Sequence, residues 1–188
     1  MFDLESSTPN KKTISLVTPF YNEEANVEST LEAIADNIDN DRFSWEVIAV
    51  NDGSTDSTLK KLMESNITAF KLVIVDLSRN FGKEAALSAG LEHATGDAII
   101  PLDADLQDPP QLISALIEKW EEGYDVVLAR RVDRSSDSFL KRVTAGAFYN
   151  VINRLSDVDI PHHVGDFSLM DRHVVDVLHT LTEAEPCI

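Results

Sequence analysis

Two aspartates separated by one residue are groups that could hold a metal ion. Asp103 and Asp105 follow the apolar run Ala98–Leu102, and Gln107 lies two positions further on. Because residues i and i+2 of an extended chain point to the same side, the two carboxylates and the amide oxygen would converge. Such oxygen donors suit Mg²⁺ or Mn²⁺, with water and a substrate phosphate as further ligands. An isolated pair with this spacing is more often a solvated loop, so the interpretation depends on the surrounding elements.

The elements that must position these residues alternate between strand and helix. The predicted strands are Thr13–Thr18, Trp45–Asn51, Phe70–Leu77, Ala98–Leu102, Tyr124–Ala129 and, near the end, Asp166–Met170. The predicted helices are Asn22–Asp36, a short segment ending at Ser65, Lys83–Thr95, Gln111–Glu122, Phe139–Leu155 and Arg172–Thr180. Pro19 is expected to close the first strand, and Asn22 to cap the first helix. This alternation predicts an α/β fold with a mostly parallel central sheet and helices on both faces.

Ligands of such sheets bind beyond the carboxyl ends of the strands, near a switch in strand order. Four polar clusters fall at predicted carboxyl ends: Pro19–Glu23, Asp52, Arg79–Lys83 and Asp103–Gln107. We therefore expect them to share one rim, which favours a ligand site over a solvated loop. Trp45 and Trp120 are expected to lie in the core.

Composition limits the class of partner. The chain has 188 residues, 43% of them hydrophobic and 26% charged, which is typical of one soluble globular domain. A formal charge of −17 argues against nucleic acid, although a bound cation would still permit a nucleotide. Cys187 is the one cysteine, so neither a disulfide framework nor a thiolate metal site is expected, and a reducing, cytoplasmic setting fits. We find no signal peptide and no run near the roughly 18 apolar residues of a membrane helix, so the chain as given is expected to be soluble.

A basic cluster stands out against this acidic background. Its members are Arg130, Arg131, Arg134, Lys141 and Arg142. It could be a solvated face or a phosphate site, and the contrast in charge favours phosphate. The neighbouring predicted helix Phe139–Leu155 has an apolar stripe that could pack inside the domain or lie on a bilayer surface.

The motifs together resemble a known family. Thr18–Glu24, Val50–Asp56 and Asp103–Pro110 are similar to family 2 glycosyltransferases with the A-type glycosyltransferase fold. Ser78–Leu87, with the motifs at 128–131 and 164–167, narrows the resemblance to the polyisoprenyl-phosphate branch, which includes bactoprenol-phosphate glucosyltransferases and dolichyl-phosphate mannose synthases.

The resemblance implies a domain organisation. A single Rossmann-like A-type glycosyltransferase domain would cover residues 13–182, after a flexible tail at 1–12. Residues 183–188 would be a truncated end, because the membrane helices usual in this branch do not follow.

The resemblance also implies roles for matching residues. The nucleotide and sugar would contact Pro19, Tyr21, Glu23, Asp52, Arg79, Lys83, Asp103 and Ala104. Mg²⁺ or Mn²⁺ would be held by Asp103, Asp105 and Gln107. The acceptor phosphate would meet Arg130, Arg131 and Arg142. The catalytic set would be Asp105, Asp166 and Arg130, with Asp166 acting either as a base or as an orienting residue.

The implied activity is inverting, metal-dependent transfer of a hexose to a polyprenyl (undecaprenyl) phosphate at the cytoplasmic membrane face. A UDP-sugar, with glucose favoured, is preferred over GDP-mannose as donor. One alternative is a glycosyltransferase with a glycan or protein acceptor. A non-enzymatic alternative is a domain that binds a sugar nucleotide but is inactive because it is truncated. A nucleotidyltransferase would need a basic, glycine-rich loop after the first strand, where this chain has the acidic segment Pro19–Glu24. A missing C-terminal segment would attach the protein to the membrane, and a homo-oligomer is possible.

Overall fold

The computed structural model describes residues 11–130 and 164–183, with the side chains of residues 130, 164–166 and 181–183 left out. The strands are β1 (Thr13–Phe20), β2 (Ser44–Asn51), β3 (Lys71–Asp76), β4 (Ala98–Pro101), β5 (Val126–Arg130) and β6 (Val164–Asp171). The helices are α1 (Val27–Ala35), α2 (Thr58–Glu64), α3 (Lys83–His93), α4 (Ile113–Glu121) and α5 (Arg172–Glu183), and a 3-10 turn (Pro110–Leu112) precedes α4.

The strands form one sheet in the order β3-β2-β1-β4-β6-β5. The pairs β1–β2, β1–β4 and β2–β3 are parallel, whereas β4 and β6 are antiparallel. The predicted α/β fold with a mostly parallel sheet is therefore confirmed. Strand β1 lies between β2 and β4, so the chain leaves β1 first towards one side and later towards the other. Sheets of this kind bind ligands at such a switch in strand order, which here lies at the carboxyl ends of β1 and β4.

Apolar side chains cover both faces of the central strands. Neighbouring residues of β1, Leu16 and Val17, are both fully buried although they point to opposite faces. On the Val17 face, Gly90 of α3 approaches so closely that an added Cβ would lie 2.3 Å from Val17 Cγ1. Trp45 and Trp120 are 5% and 6% exposed, which confirms that they belong to the core.

Strand β1 continues through Pro19, so the prediction that this proline closes the strand is wrong. Val17 accepts a hydrogen bond from the Leu102 amide on the β4 side, and Phe20 accepts one from Asp52 on the β2 side. Neighbouring residues alternate between the two partners, so position 19 faces the β4 side. Pairing with β4 ends at Val17, and Pro19 therefore lacks an N–H where no strand partner needs one.

The first helix begins at Val27, so the prediction that Asn22 caps it is wrong. Asn22 has a φ of +54° and lies in the segment between β1 and α1. Its side-chain oxygen accepts a hydrogen bond from the Thr55 amide at 2.8 Å. The polar side chain therefore joins two loops.

Strand β4 ends at Pro101, one residue before the predicted end, and Asp103–Leu106 form a turn. The Leu106 amide donates to the Asp103 carbonyl at 3.3 Å, and Leu106 has a φ of +55°. The expectation that Asp103 and Asp105 lie in extended chain is therefore wrong.

The chain divides into two compact units, Met1–Val127 with Phe167–Ile188 and Leu128–Asp166. The first contains β1–β4 and all five helices named above. The second is described only at 128–130 and 164–166, and the predicted helix Phe139–Leu155 lies outside the described residues. Within the described ranges, no helix has the length and apolar character needed to cross a bilayer.

Candidate active site

A cleft of about 280 Å³ opens at the carboxyl ends of β1, β2 and β4. Its lining includes eight residues that the sequence assigned to nucleotide, sugar or metal: Pro19, Tyr21, Glu23, Asp52, Lys83, Asp103, Ala104 and Asp105. Three further lining residues had no assigned role: Phe20, Asn80 and Gly82. Asn80 and Gly82 belong to the motif Ser78–Leu87, so the sequence indicated their segment but not their individual positions. The cleft brings together residues from four separate loops.

Lys83 and Asp103 form an ion pair inside this cleft. Lys83, the first residue of α3, places its Nζ 2.8 Å from Oδ1 and 2.9 Å from Oδ2 of Asp103. The two side chains are 40% and 30% exposed, so both remain accessible to a ligand. The pair places a positive charge beside a carboxylate, which suits the binding of a diphosphate.

The turn that carries the aspartates is held from several directions. The Asp105 carboxylate accepts a hydrogen bond from the Gln107 amide at 3.1 Å. The Ala104 carbonyl accepts one from Thr30 Oγ1 at 2.6 Å. Sequence reasoning gave Thr30 no role, because it has the pattern of an ordinary residue on the buried face of a helix and its partner is 74 positions away.

The carboxylate oxygens of the turn suit a divalent cation that takes its other ligands from a substrate. Asp103 and Asp105 both reach the cleft and supply hard oxygen donors. Among the described residues, no group of three or more His, Cys, Asp or Glu side chains forms a metal cage. Mg²⁺ commonly binds through one or two carboxylates together with substrate phosphates, and two carboxylates satisfy that pattern.

Asp52 ties the end of β2 to the loop that precedes α3. It is 3% exposed, and its two oxygens accept hydrogen bonds from the Phe81 amide at 2.8 Å and the Gly82 amide at 2.9 Å. The next residue, Gly53, has a φ of +62° and leaves no room for a Cβ, which would lie 2.2 Å from the Arg79 carbonyl carbon. Asp52 and Gly53 therefore fix the backbone of one wall of the cleft.

The segment after β1 is fastened to the turn after β2 by paired hydrogen bonds. The Glu24 carboxylate accepts from the Ser57 amide at 2.9 Å, while the Glu24 amide donates to the Asp56 carboxylate at 3.1 Å. Desolvation acts to raise the pKa of Asp56, but hydrogen bonds from Thr58 and Glu24 outweigh it and lower the net pKa. Glu24 and Asp56, which do not line the cleft, therefore hold the two loops that form its wall.

The glycosyl transferase family 2 model matches residues 15–178 of the chain. That range contains every described residue that lines the cleft. The chain belongs to glycosyltransferase family 2. The resemblance noted in the sequence is therefore confirmed at the level of the family.

Relatives of this family 2 chain include curated proteins and solved structures. An uncharacterized glycosyltransferase of Synechocystis is 49% identical over 170 residues, which cover 90% of this chain and 54% of the relative. Bactoprenol glucosyl transferase of Shigella phage SfX is 45% identical over 170 residues, covering 90% and 56%. A mannosyltransferase from Pyrobaculum calidifontis, solved in complex with GDP-Man and Mn²⁺, is 25% identical with a TM-score of 0.64, covering 89% and 47%. The chain thus spans about half the length of these relatives.

The remaining assigned residues of this family 2 chain lie outside the cleft lining or outside the described residues. Arg79 places its guanidinium 4.7 Å from the centre of the Phe81 ring. Gln107 is exposed, and neither it nor Arg79 lines the cleft. The side chains of Arg130 and Asp166, and all of Arg131 and Arg142, lie outside the described residues.

Proposed function

We propose that this family 2 domain is the catalytic part of an inverting, metal-dependent glycosyltransferase that moves a hexose from a nucleotide sugar to a polyprenyl phosphate. The observation that carries the proposal is the cleft in which Asp103 and Asp105 meet Tyr21, Asp52 and Lys83 at the switch in strand order. An aromatic ring, two carboxylates that reach the cleft and a lysine are the groups needed for a nucleoside diphosphate and its counter-ion.

For the donor and acceptor, we favour UDP-glucose and undecaprenyl (bactoprenol) phosphate. The support is the 45% identity to the bactoprenol glucosyl transferase of phage SfX over 90% of this chain. Transfer to a lipid phosphate would take place at the cytoplasmic face of the membrane.

The reaction is a single displacement at the anomeric carbon. An oxygen of the acceptor phosphate forms the new bond to that carbon, while the bond to the nucleotide diphosphate breaks and its electron pair leaves with the diphosphate. A divalent ion bound at Asp103 and Asp105 would neutralise the charge that develops on this leaving group. Lys83 supplies a fixed positive charge beside Asp103.

The acceptor needs little general-base help. A phosphate monoester has a second pKa near 6 and is therefore mostly dianionic at neutral pH. We propose that Arg130, Arg131 and Arg142 bind this dianion, and that Asp166 orients the acceptor or an arginine more than it removes a proton. Loss of turnover in Asp166→Asn, with full turnover in Arg130→Ala, would reverse these roles.

GDP-mannose is the second candidate donor. The support for this donor is the fold that this chain shares, at a TM-score of 0.64, with a mannosyltransferase solved in complex with GDP-Man and Mn²⁺. Both candidates use the same cleft and differ in the base and the sugar that the cleft accepts.

A donor screen tests the proposal. Radiolabelled UDP-glucose, GDP-mannose and dTDP-glucose are each incubated with the protein, Mn²⁺ and a short polyprenyl phosphate, and label that enters the organic phase is counted. We expect transfer from UDP-glucose that is lost in Asp105→Asn. The matched control is Asp36→Asn, an aspartate at the end of α1 that does not line the cleft. Tight nucleotide binding without transfer from any donor, in the full-length protein, would favour a non-catalytic binding domain.

A further inference from the structure

The carbonyl between the two candidate metal ligands is held by a side chain from outside the cleft. Thr30 of α1 donates from Oγ1 to the Ala104 oxygen at 2.6 Å. Thr30 is fully buried and Ala104 is 6% exposed, so water cannot take over this contact. Thr30 does not line the cleft. The hydrogen bond therefore connects the aspartate turn to helix α1 through a side chain that lies outside the cleft lining.

The Thr30 hydroxyl does not bond to a carbonyl of its own helix. Threonine hydroxyls inside helices often bond to the carbonyl four residues earlier. In α1 that carbonyl, from Asn26, accepts the Thr30 amide at 2.9 Å, while the hydroxyl reaches across to Ala104. Val27, Leu31 and Ile34 are buried on the same helix, which limits its freedom to shift. The position of the Thr30 hydroxyl is thus set by the core.

A fixed Ala104 carbonyl determines how Asp105 is presented. The peptide bond is planar, so holding the Ala104 oxygen also fixes the plane that continues into the Asp105 amide. Rotation of that plane would turn Asp105 relative to Asp103, which is held separately by Lys83. We propose that Thr30 is a positioning residue that sets the relative orientation of the Asp103 and Asp105 carboxylates. This inference rests on the proposed function, in which these carboxylates bind a divalent ion beside a nucleotide diphosphate.

Three substitutions at position 30 test the inference. Thr30→Val removes the hydroxyl at nearly constant volume, Thr30→Ala removes it without placing a methyl group against the carbonyl, and Thr30→Ser keeps it. Mn²⁺ binding in the presence of UDP or GDP is followed by the electron paramagnetic resonance signal of free Mn²⁺, which requires no turnover. Because a buried carbonyl loses its partner, we expect Mn²⁺ affinity to fall about five- to tenfold in the valine and alanine variants. The serine variant should restore it.

Thr18→Val is the matched control. Thr18 is fully buried in β1, and within the described part of the chain its Oγ1 has no hydrogen-bond partner. This variant should bind Mn²⁺ like the wild type. If Thr30→Val or Thr30→Ala lowers thermal stability but the folded protein keeps wild-type Mn²⁺ affinity, or if Thr30→Ser fails to restore affinity, Thr30 is not a positioning residue and the proposed function stands. Wild-type protein that binds no Mn²⁺ with either nucleotide overturns both.

Discussion

Lys83 and Asp103 form an ion pair that a divalent cation would have to disturb, because the lysine contacts both oxygens of the carboxylate. Replacing Lys83 by glutamine removes a competing cation from the site. We therefore expect Lys83→Gln to bind Mn²⁺ about two- to fivefold more tightly without nucleotide, the range set by a partly exposed ion pair. Glycosyl transfer should nevertheless fall, because the leaving diphosphate loses a positive charge. Calorimetric titration of Mn²⁺ and the radiolabel assay measure the two effects separately.

The control for this substitution is Lys119→Gln. Lys119 of α4 contacts both oxygens of Glu122, the residue after the helix end, at 2.8 Å in an exposed pair, and neither residue lines the cleft. Neither Mn²⁺ affinity nor transfer should change in this variant. Unaltered or weaker Mn²⁺ binding in Lys83→Gln would mean that the lysine does not compete with the cation.

Single residues show which parts of the site the sequence could predict. The positions of Asp103 and Asp105 at a strand end followed from an apolar run and two prolines. Their turn could not be predicted, because it requires a φ of +55° at Leu106, a conformation that leucine seldom adopts. The hydrogen bonds from the Phe81 and Gly82 amides to Asp52 could not be predicted either, because these partners are 29 and 30 positions away in the sequence. Residue type indicates chemistry, whereas tertiary contacts decide geometry.

Among the connecting elements, the turn after β2 depends on a glycine. In Gly53→Ala the new Cβ would meet the Arg79 backbone at 2.2 Å, and the residue would have to keep a φ of +62°. We expect a loss of about 1–3 kcal/mol in the free energy of unfolding, together with weaker nucleotide binding, because Asn80 and Gly82, which line the cleft, must move with the Arg79 backbone. Chemical denaturation and calorimetry measure these effects.

Gly123→Ala separates steric overlap from backbone strain. Gly123 also has a positive φ, of +101°, but an added Cβ would meet no atom within 4 Å beyond its chain neighbours. This variant should lose some stability from strain while keeping wild-type affinity for the nucleotide. Equal loss of nucleotide affinity in both variants would show that the Arg79 contact does not shape the cleft.

At the amino ends of β1, β2 and β4, a buried carboxylate joins the strands. Glu46 is 2% exposed and accepts hydrogen bonds from Ser15 Oγ at 2.7 Å and from the Thr95 amide at 2.6 Å. Burial acts to raise the pKa of Glu46, but these hydrogen bonds and the charge of Lys71 outweigh it, so the net pKa is lowered. The lowered pKa means that the ionised form stabilises the folded state.

The sign of this shift gives a prediction for acid stability. The contribution of Glu46 is complete above its unfolded-state pKa, about 4.3, and is lost as the pH falls through the lower folded-state pKa. Glu46→Gln should cost about 1–3 kcal/mol at neutral pH, since an amide cannot accept from all the same donors. Its stability should fall less steeply than that of the wild type below about pH 4.3. Urea denaturation across the acid range tests this, with the exposed Glu64→Gln as control. Parallel acid slopes for Glu46→Gln and the wild type would contradict it.

The boundaries of the elements show where sequence patterns stop being sufficient. Strand β1 passes through Pro19 because β4 has already turned away on that side, and a single strand's sequence does not reveal its neighbours. Helix α1 begins five residues after Asn22 because that segment bonds to the turn after β2. Local preference was overridden in both places by contacts between distant segments.

For the whole molecule, the alternation of strands and helices was enough to predict a mostly parallel sheet and the edge at which the cleft opens. The position of β6 was not predictable from the same pattern. This strand enters antiparallel to β4, in the order β4-β6-β5, although it follows β5 in the chain. The sheet therefore separates two polar regions, with the cleft at the carboxyl ends of the parallel strands and the Glu46 network at their amino ends.

In the proposed metal site, the cleft as a whole would supply two carboxylates and leave the remaining coordination to a ligand. Among the described residues, the fold assembles no cage of three or more His, Cys, Asp or Glu side chains around a cation. A cation held by these two carboxylates would take further ligands from water and from the diphosphate of a nucleotide. The nucleotide and the metal should thus bind as a coupled pair, and by thermodynamic linkage each must raise the affinity for the other by the same factor.

We expect this factor to be about tenfold or more, within the usual range of coupling between bound ligands. Calorimetric titrations of UDP with and without Mn²⁺, and of Mn²⁺ with and without UDP, measure it from both sides; GDP replaces UDP if the mannose donor is correct. Uridine or guanosine, which lack the diphosphate, should show no coupling, and Asp105→Asn should reduce it for the diphosphates. A chelator should stop transfer in the wild type. If Mn²⁺ binds equally tightly with and without nucleotide, the two ligands are not coupled. That result would contradict a cation that is shared between two carboxylates and a diphosphate.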